Sequence, residues 1–318
     1  MKLATLRDGS RDGQLVVVSR DLASAHYATG IAQRLQQVLD DWGFLAPQLQ
    51  DLYDALNAGR ARHAFPFDPA QCLAPLPRAY QCLEAVPGSP GAAVPALQQL
   101  AGDALGGARD PLPERAVAAD LDFGAGLAVV TGDLPAASTS DQALDAVRLL
   151  MLCNSIALRA LEPAERAAGG GAQHSRPTTV FGPVAVTPDE LGAAWSRGRL
   201  SLVLAVLRNG RPLARCDAAG MAPGFGELIA HAARTRPLGA GSIVCSGALG
   251  SAAAPDDPTA TLRSCASLQQ RRARELQQGG QATTGFLQPG DSLRIDMAGA
   301  DGGSVCGAIE QTVGPPGQ

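Results

Sequence analysis

The sequence predicts an α+β fold made mainly of strands and turns, and three observations support this prediction. Short apolar runs are separated by Asp-Gly and Asn-Gly pairs, which supply the positive φ angles that a hairpin turn needs. Few segments show helical periodicity, and strands do not alternate with helices in a regular βαβ series. The 37 glycines and 23 prolines among 318 residues favour turns over a helical bundle.

The first part of the chain, residues 1–75, predicts a small N-terminal α/β unit. Its hairpin joins residues 2–7 to residues 14–19 through two Asp-Gly pairs. Asp21 is placed to cap a following helix, and a second helix ends near Gly59. Each helix has one apolar face, formed by Ile31, Leu35, Val38 and Trp42 in the first and by Leu49, Leu52, Tyr53 and Leu56 in the second.

The remaining part, residues 76–318, predicts a larger, strand-rich C-terminal domain. Residues 85–119 are rich in Pro, Gly and Ala and are expected to form a linker or a shortened loop. The other predicted elements are a strand at 127–131, a helix from the Thr187-Pro188-Asp189-Glu190 capping box to about Gly198, a hairpin at 200–214 around Asn209-Gly210, a helix at 227–235, and closing strands at 293–297 and 305–313.

Composition excludes several classes of function. The net charge is −4 and no basic run stands out, so no nucleic-acid partner is expected. The longest apolar stretch, at 149–153, is too short to cross a membrane, and no signal peptide is expected. The seven cysteines lack zinc-site spacing, which favours buried, reduced thiols such as Cys153 and Cys245 and a cytoplasmic protein. Lys2 is the only lysine, so Schiff-base chemistry is not expected.

Seven segments, in this order along nearly the whole chain, resemble the fumarylacetoacetate hydrolase family: 1–6, 74–81, 127–133, 181–192, 228–235, 239–244 and 291–295. The resemblance implies a small N-terminal domain, a C-terminal domain with a rolled mixed β-sheet, and a homodimer. Members of the family cleave a C–C bond beside a carbonyl, or decarboxylate or tautomerise related keto acids. In the family a divalent metal, usually magnesium, chelates the substrate oxygens and stabilises the developing enolate.

The metal ligands that the resemblance implies are mostly missing from this sequence. Glu84 matches the position of the first acidic ligand, but the next two glutamate positions are Gly124 and Gly126. The family's aspartate after an asparagine is Ser155, which follows Asn154. Magnesium needs carboxylates to compensate for its dehydration, so we expect neither a metal nor another cofactor. The two glycines also predict an enlarged cleft, unless neighbouring residues collapse into it.

Other positions of the family pattern are altered as well. No histidine stands near Gly91, the position of the family's water-activating histidine, and the pocket lysine is replaced by Arg176. Asp122 shares a strand face with Gly124 but lies about 7 Å away along the strand, too far to act as a substitute ligand. The candidate catalytic residues are therefore Glu84, His174 and Arg176, and the candidate substrate-binding residues are Tyr80, Asn154, Ser155, Ser246 and Gly247.

Two hypotheses about function remain open at this point. One is a repurposed, metal-independent enzyme that acts on a keto acid or a polyketide-like small molecule, with a biosynthetic pathway as the suggested setting. In it Arg176 holds a carboxylate or enolate and His174 moves a proton. The other is a non-catalytic pseudoenzyme that acts as a scaffold or partner subunit. A conventional metal-dependent C–C bond hydrolase is the third alternative and ranks last.

Overall fold

The computed structural model describes residues 1–86, 96–169, 171–250 and 264–314. Within them the strands are β1 (Lys2–Leu6), β2 (Gln14–Val18), β3 (Ser24–Tyr27), β4 (Phe65–Pro66), β5 (Cys82–Val86), β6 (Ala96–Leu100), β7 (Leu112–Pro113), β8 (Leu121–Asp122), β9 (Ala125–Thr131), β10 (Val147–Ser155), β11 (Ala157–Leu158), β12 (Thr179–Phe181), β13 (Ala185–Val186), β14 (Trp195–Ser196), β15 (Arg199–Leu200), β16 (Val203–Arg208), β17 (Arg211–Asp217), β18 (Ser242–Cys245), β19 (Ser292–Met297) and β20 (Ile309–Gly314).

The helices of the described residues are few and mostly short. The α-helices are α1 (Leu35–Asp40), α2 (Trp42–Asn57), α3 (Ser140–Asp145), α4 (Glu162–Ala167), α5 (Phe225–Ala232) and α6 (Leu268–Gly279), and the 3-10 helices are Pro69–Gln71, Glu114–Ala119, Pro188–Ala194 and Ala218–Gly220. None of these helices is long and apolar enough to cross a membrane.

The strands of the described residues form one large mixed sheet, one smaller five-stranded sheet and two two-stranded sheets, β8 with β11 and β14 with β15, which confirms the predicted α+β class. The large sheet has the order β4-β3-β2-β1-β13-β10-β9-β18-β5-β6, and β12 also pairs with β10. The smaller sheet has the order β17-β16-β19-β20-β7. Strand β1 pairs with β13, with Lys2 opposite Val186, so the N-terminal strands belong to the same sheet as the C-terminal part. The division at residues 75 and 76 stays a prediction.

Both faces of the large sheet are buried at its central strands, β9 and β10. Side chains alternate between the two faces along a strand. On β10, Leu149, Met151 and Cys153 pack with residues of α1 and α2, whereas Leu150 and Leu152 pack with residues of the smaller sheet. Strand β10 is therefore apolar on both faces, and its end carries polar residues into the interior.

Several local predictions are confirmed. Strands β1 and β2 form the first hairpin, with Leu6 opposite Gln14. The Asn209-Gly210 turn joins β16 to β17 with φ angles of 53° and 72°, as its sequence requires. Helix α2 ends before Gly59, which has a φ of 66°, and α5 forms close to the predicted bounds.

Three local predictions are wrong. Asp21 does not cap a helix, because its carboxylate accepts hydrogen bonds from Ser19 and Ala23 in a turn before β3. The helix after Thr187 is a 3-10 segment that is interrupted at Gly192, which has a φ of 52°. The last strand begins at Ile309 rather than at residue 305, because a turn with positive φ at Gly307 precedes it.

The predicted linker at residues 85–119 contains regular structure on either side of residues 87–95, which lie outside the described residues. Strands β5 and β6 pair antiparallel across this gap, with Glu84 opposite Gln98. Further along, β7 pairs with β20. The linker prediction is therefore wrong for the described residues, because their backbone groups take part in both sheets.

Candidate functional site

The site lies where β5, β18, β9 and β10 run side by side in the large sheet. Glu84 on β5 stands opposite Cys245 on β18, and Gly126 on β9 stands opposite Cys153 on β10. The N–H of Ser155 donates to the carbonyl oxygen of Gly124 at 2.9 Å. The sheet thus brings together all four positions at which the resemblance implies metal carboxylates.

The positions of the two missing glutamates are filled by neighbouring backbone. A Cβ atom on Gly126 would lie 2.2 Å from the carbonyl oxygen of Gly247 and 2.8 Å from Oγ of Ser246. A Cβ atom on Gly124 would lie 3.1 Å from the carbonyl oxygen of Ser155. Of the two outcomes weighed from the sequence, collapse of the neighbours is therefore the one observed, and the expectation of an enlarged cleft is wrong at Gly126.

Ser246 and Gly247 are committed to this packing. The Ser246 hydroxyl accepts the N–H of Leu127 at 3.0 Å and donates to the carbonyl oxygen of Gly247 at 2.8 Å. Gly247 has a φ of +70°, and a Cβ atom there would lie 2.2 Å from the carbonyl oxygen of Ala85. Only glycine fits this position, and the Ser246 hydroxyl is occupied by the backbone rather than presented to a ligand.

Asn154 and Ser155 point to opposite faces of the sheet, since they are consecutive residues of a strand. Asn154 is fully buried, accepts the N–H of Gly124 at 3.1 Å and donates to Oε1 of Gln311 at 2.9 Å. The buried Ser155 hydroxyl has no hydrogen-bond partner within the described residues. Asn154 is therefore a structural residue, and Ser155 is the one with an uncommitted polar group.

Glu84 and Arg176 come together, as the sequence-based assignment required. Glu84 is 3% exposed, and its Oε2 accepts a hydrogen bond from Nε2 of Gln98 at 2.5 Å. Oε2 also lies 3.6 Å from Nε of Arg176, an ion-pair distance that is too long for a hydrogen bond. A terminal nitrogen of Arg176, Nη2, lies 3.1 Å from Oε1 of Glu162. Arg176 is thus held between two carboxylates.

The ion pairs continue beyond Glu162. Nη1 of Arg159 donates to Oε1 of Glu162 at 2.7 Å, and Nε of Arg159 donates to Oδ2 of Asp122 at 2.9 Å. Asp122 is completely buried and also accepts the backbone N–H groups of Leu268 and Gln269, at 2.8 and 3.1 Å, at the start of α6. We call these residues the ion chain: Asp122, Arg159, Glu162, Arg176 and Glu84.

The two guanidinium groups of the ion chain are differently stabilised. Burial lowers the pKa of Arg159, but the ion pairs with Asp122 and Glu162 outweigh burial, and the net pKa is raised. Burial also lowers the pKa of Arg176, and there it outweighs the attraction of Glu84, so the net pKa is lowered. Arg176 is therefore the less well compensated of the two charges.

His174 and Tyr80 lie outside this cluster. The His174 side chain is exposed, and its backbone N–H donates to Oε1 of Glu165 at 2.5 Å. Tyr80 is 78% exposed. The structure brings neither side chain to Glu84 and Arg176. The catalytic role assigned to His174 and the substrate-binding role assigned to Tyr80 therefore have no geometric support.

Three charged residues of the cluster were missed from the sequence as site residues: Asp122, Arg159 and Glu162. Arg159 and Glu162 are three residues apart just after a buried strand, which is a recognisable ion-pair spacing. No such signal exists for Asp122, because its helix partner lies 146 residues further along the chain. The prediction that Cys153 and Cys245 are buried thiols is confirmed, and the other five cysteines are buried as well.

The residues present do not fit the divalent metal that the resemblance implies. Of the four ligand positions only Glu84 carries a carboxylate, and a guanidinium rather than an open coordination position faces it. Across the described residues, no three His, Cys, Asp or Glu side chains are grouped in a way that could hold a metal ion. The donor set therefore lacks the oxygen ligands that a hard cation needs.

Comparisons with known proteins agree with this architecture. Residues 1–78 match the family model described as fumarylacetoacetase N-terminal domain 2, and residues 80–314 match the model of the fumarylacetoacetate hydrolase C-terminal region. No curated protein matches the sequence.

Solved structures share the fold at low sequence identity. The fumarylacetoacetate hydrolase of Exiguobacterium antarcticum aligns at a TM-score of 0.68 and 18% identity, over 99% of this chain and 100% of that one. Maleylpyruvate hydrolase of Sphingobium sp. SYK-6 gives 0.66 and 16%, with 99% and 100% coverage. The 2-hydroxyhepta-2,4-diene-1,7-dioate isomerase of Mycobacterium marinum gives 0.61 and 15%, with complete coverage of both. With both family models matched in order over nearly its whole length, the chain belongs to the fumarylacetoacetate hydrolase family.

Proposed function

We propose that this chain is a non-catalytic member of the family, which keeps the fold but does not carry out metal-dependent C–C bond chemistry. The observation that carries the proposal is the contact of Gly126 with Gly247. The carbonyl oxygen of Gly247 stands 2.2 Å from the place where a Cβ atom would begin a ligand side chain at position 126. The site is therefore closed by backbone at a point where a metal carboxylate is expected.

The charges of the ion chain support the same proposal. Its three carboxylates face two guanidinium groups, which leaves one negative charge in a largely buried cluster. Arg176, the group that could attract an anionic keto acid, already faces Glu84 and Glu162. An organic anion that entered here would meet a net negative cluster, which disfavours its binding. In this proposal the chain acts by binding a partner, as a scaffold or subunit, in the cytoplasm and as the homodimer that the resemblance implies.

A metal-independent enzyme acting on a keto acid is the second candidate. The observation that favours it is the presence of two polar groups without hydrogen-bond partners in the described residues, Oγ of Ser155 and Nε of Arg176. Such groups are costly when buried and often mark the place of a ligand. A relative from Sphingobium sp. SYK-6 was solved in complex with manganese and pyruvate, and pyruvate is therefore a suitable probe.

The two candidates are separated by ligand binding to the purified wild-type protein. Thermal unfolding and calorimetric titration are measured with Mg²⁺, with Mn²⁺ and with pyruvate, each against a chelator control. The non-catalytic proposal expects no metal binding and no pyruvate binding. Pyruvate binding without metal would favour the second candidate, and stoichiometric metal binding would overturn both. Assay of C–C bond cleavage with an acylpyruvate under the same conditions tests for activity directly.

A further inference from the structure

The part of the ion chain around Glu84 carries a more specific inference. We propose that the guanidinium of Arg176 is a built-in replacement for a divalent cation, which neutralises Glu84 and Glu162 from within the chain. This inference rests on the proposed absence of metal-dependent chemistry and names what occupies the site instead. It makes a prediction that the proposed function does not make, namely that removal of the guanidinium creates affinity for a metal ion.

The geometry of the guanidinium supports this role. Glu84 faces Nε and Glu162 faces Nη2, at 3.6 and 3.1 Å. A guanidinium presents its N–H groups as a rigid planar fork, so two carboxylates at neighbouring nitrogens of one fork are brought close to each other. Two converging carboxylates of this kind would repel each other without a cation between them.

The two carboxylates are also fixed from their other sides. Nε2 of Gln98 donates to Oε2 of Glu84 at 2.5 Å, and Nη1 of Arg159 donates to Oε1 of Glu162 at 2.7 Å. Glu84 lies on a central strand pairing and Glu162 begins α4, so the backbone holds both residues in place. Loss of Arg176 would therefore leave two preorganised carboxylates around a vacated position rather than two freely moving side chains.

Charge arithmetic gives the class of ion that the vacated position would accept. With Arg176 replaced by a neutral residue, three carboxylates would face only the guanidinium of Arg159, which leaves two negative charges. A single divalent cation restores neutrality. Oxygen donors select hard ions, so Mg²⁺, Mn²⁺ and Ca²⁺ are expected and soft ions are not.

The test compares the wild type with Arg176→Met, which keeps the aliphatic stem but removes the charged head. Melting temperatures are measured in 10 mM MnCl₂ and in EDTA. We expect no difference for the wild type and an increase of about 4 °C for Arg176→Met, the shift that a site with a Kd of about 0.1 mM would give a chain of this size. Binding is confirmed by Mn²⁺ electron paramagnetic resonance, which does not depend on stability.

Two controls make the result specific. Arg176→Lys keeps the positive charge, so it should respond to Mn²⁺ no more than the wild type does. Arg176→Met combined with Glu84→Gln removes one of the carboxylates. This double variant should bind Mn²⁺ at least tenfold more weakly than Arg176→Met alone. If Arg176→Met does not fold in EDTA, Arg176→Gln takes its place, because its amide can still donate to one carboxylate.

The outcomes of this experiment are separate from those of the proposed function. Metal binding by the wild type would overturn the proposed function and this inference together. Metal binding by neither the wild type nor the neutral Arg176 variants would overturn this inference alone. Binding by the variants that persists unchanged in the Glu84→Gln background would likewise contradict it, because the ion would then lie elsewhere.

Discussion

The carbonyl oxygen of Gly247 occupies the space beside Gly126 so completely that a Cβ atom on Gly126 would stand 2.2 Å from it. This contact joins β9 to the residues that follow β18, 121 positions further along the chain. Both partners are glycines. A side chain on Gly126 would collide with the backbone of Gly247, and Gly247 has a φ of +70°. The closed state of the site is therefore a property of backbone packing.

Replacing Gly126 by alanine should destabilise the protein by about 2 kcal/mol or more, because the clash is with backbone rather than with a movable side chain. Urea unfolding measures the change. Gly43→Ala is the matched control, since nothing lies within 4 Å of a Cβ atom there and the position is in helix α2. The control should be neutral or stabilising by about 0.5–1 kcal/mol. Equal effects of the two substitutions would contradict the packing argument.

Asp122→Asn should cost about 3–5 kcal/mol, because it removes a buried charge that faces Arg159 and the first N–H groups of α6. Hydrogen exchange should show faster exchange at the start of α6 in this variant. Ser267→Ala removes an ordinary N-cap bond from the same helix, to the N–H of Gln270, and should cost only about 1 kcal/mol. If Asp122→Asn cost as little stability as Ser267→Ala, Asp122 would contribute no more than an ordinary N-cap.

The stability of the protein should fall in acid partly through Glu190. Burial raises the pKa of Glu190, but the Tyr53 hydroxyl at 2.6 Å and Nε of Arg20 at 2.8 Å outweigh it, and the net pKa is lowered. A carboxyl with a lowered folded-state pKa contributes stability above its unfolded pKa, near 4.3, and this contribution is lost as the pH falls through the folded value. Glu190→Gln should therefore be less stable than the wild type at pH 7, and the difference should shrink below about pH 4. A stability difference between Glu190→Gln and the wild type that does not change with pH would show that Glu190 does not contribute to the loss of stability in acid.

Asn209→Ala should destabilise the β16–β17 hairpin by about 1–2 kcal/mol, because alanine tolerates a φ of 53° poorly. The Asn209 side chain also donates to Asp291 at 2.6 Å and accepts the N–H of Ser292 at 2.8 Å. Asn209→Gly restores the backbone freedom but not these bonds. Urea unfolding of both variants separates the two contributions, and glycine should lose less stability than alanine. The reverse order would contradict the turn argument.

The elements that the sequence predicted well are those set by neighbouring residues. Asparagine and glycine tolerate positive φ angles, so the residue types at 209 and 210 predict the turn directly. The apolar spacing of Leu49, Tyr53 and Leu56 likewise predicts the buried face of α2. The wrong predictions arose where distant contacts override local preference. Glu190 was assigned to a capping box, but it turns toward Tyr53, 137 residues away.

The candidate site was predicted in part for the same physical reason. Family resemblance aligned Glu84 and Arg176, and the structure pairs them. It could not reveal that Glu162 stands on the other side of Arg176, because that pairing depends on how α4 is placed. Nor could a glycine at position 126 show whether its missing side chain leaves a cavity or is replaced by backbone, since this depends on Gly247.

The pairing of β1 with β13 has a consequence for how the chain unfolds and how it can be divided. The strands of the N-terminal segment and those of the remaining chain share one hydrogen-bonded ladder, with Leu3 opposite Ala185. A cut after residue 78 would leave β13 with an unpaired edge, and free strand edges recruit other chains. We therefore expect the two segments to melt in one cooperative transition, and either fragment expressed alone to aggregate unless the other is supplied.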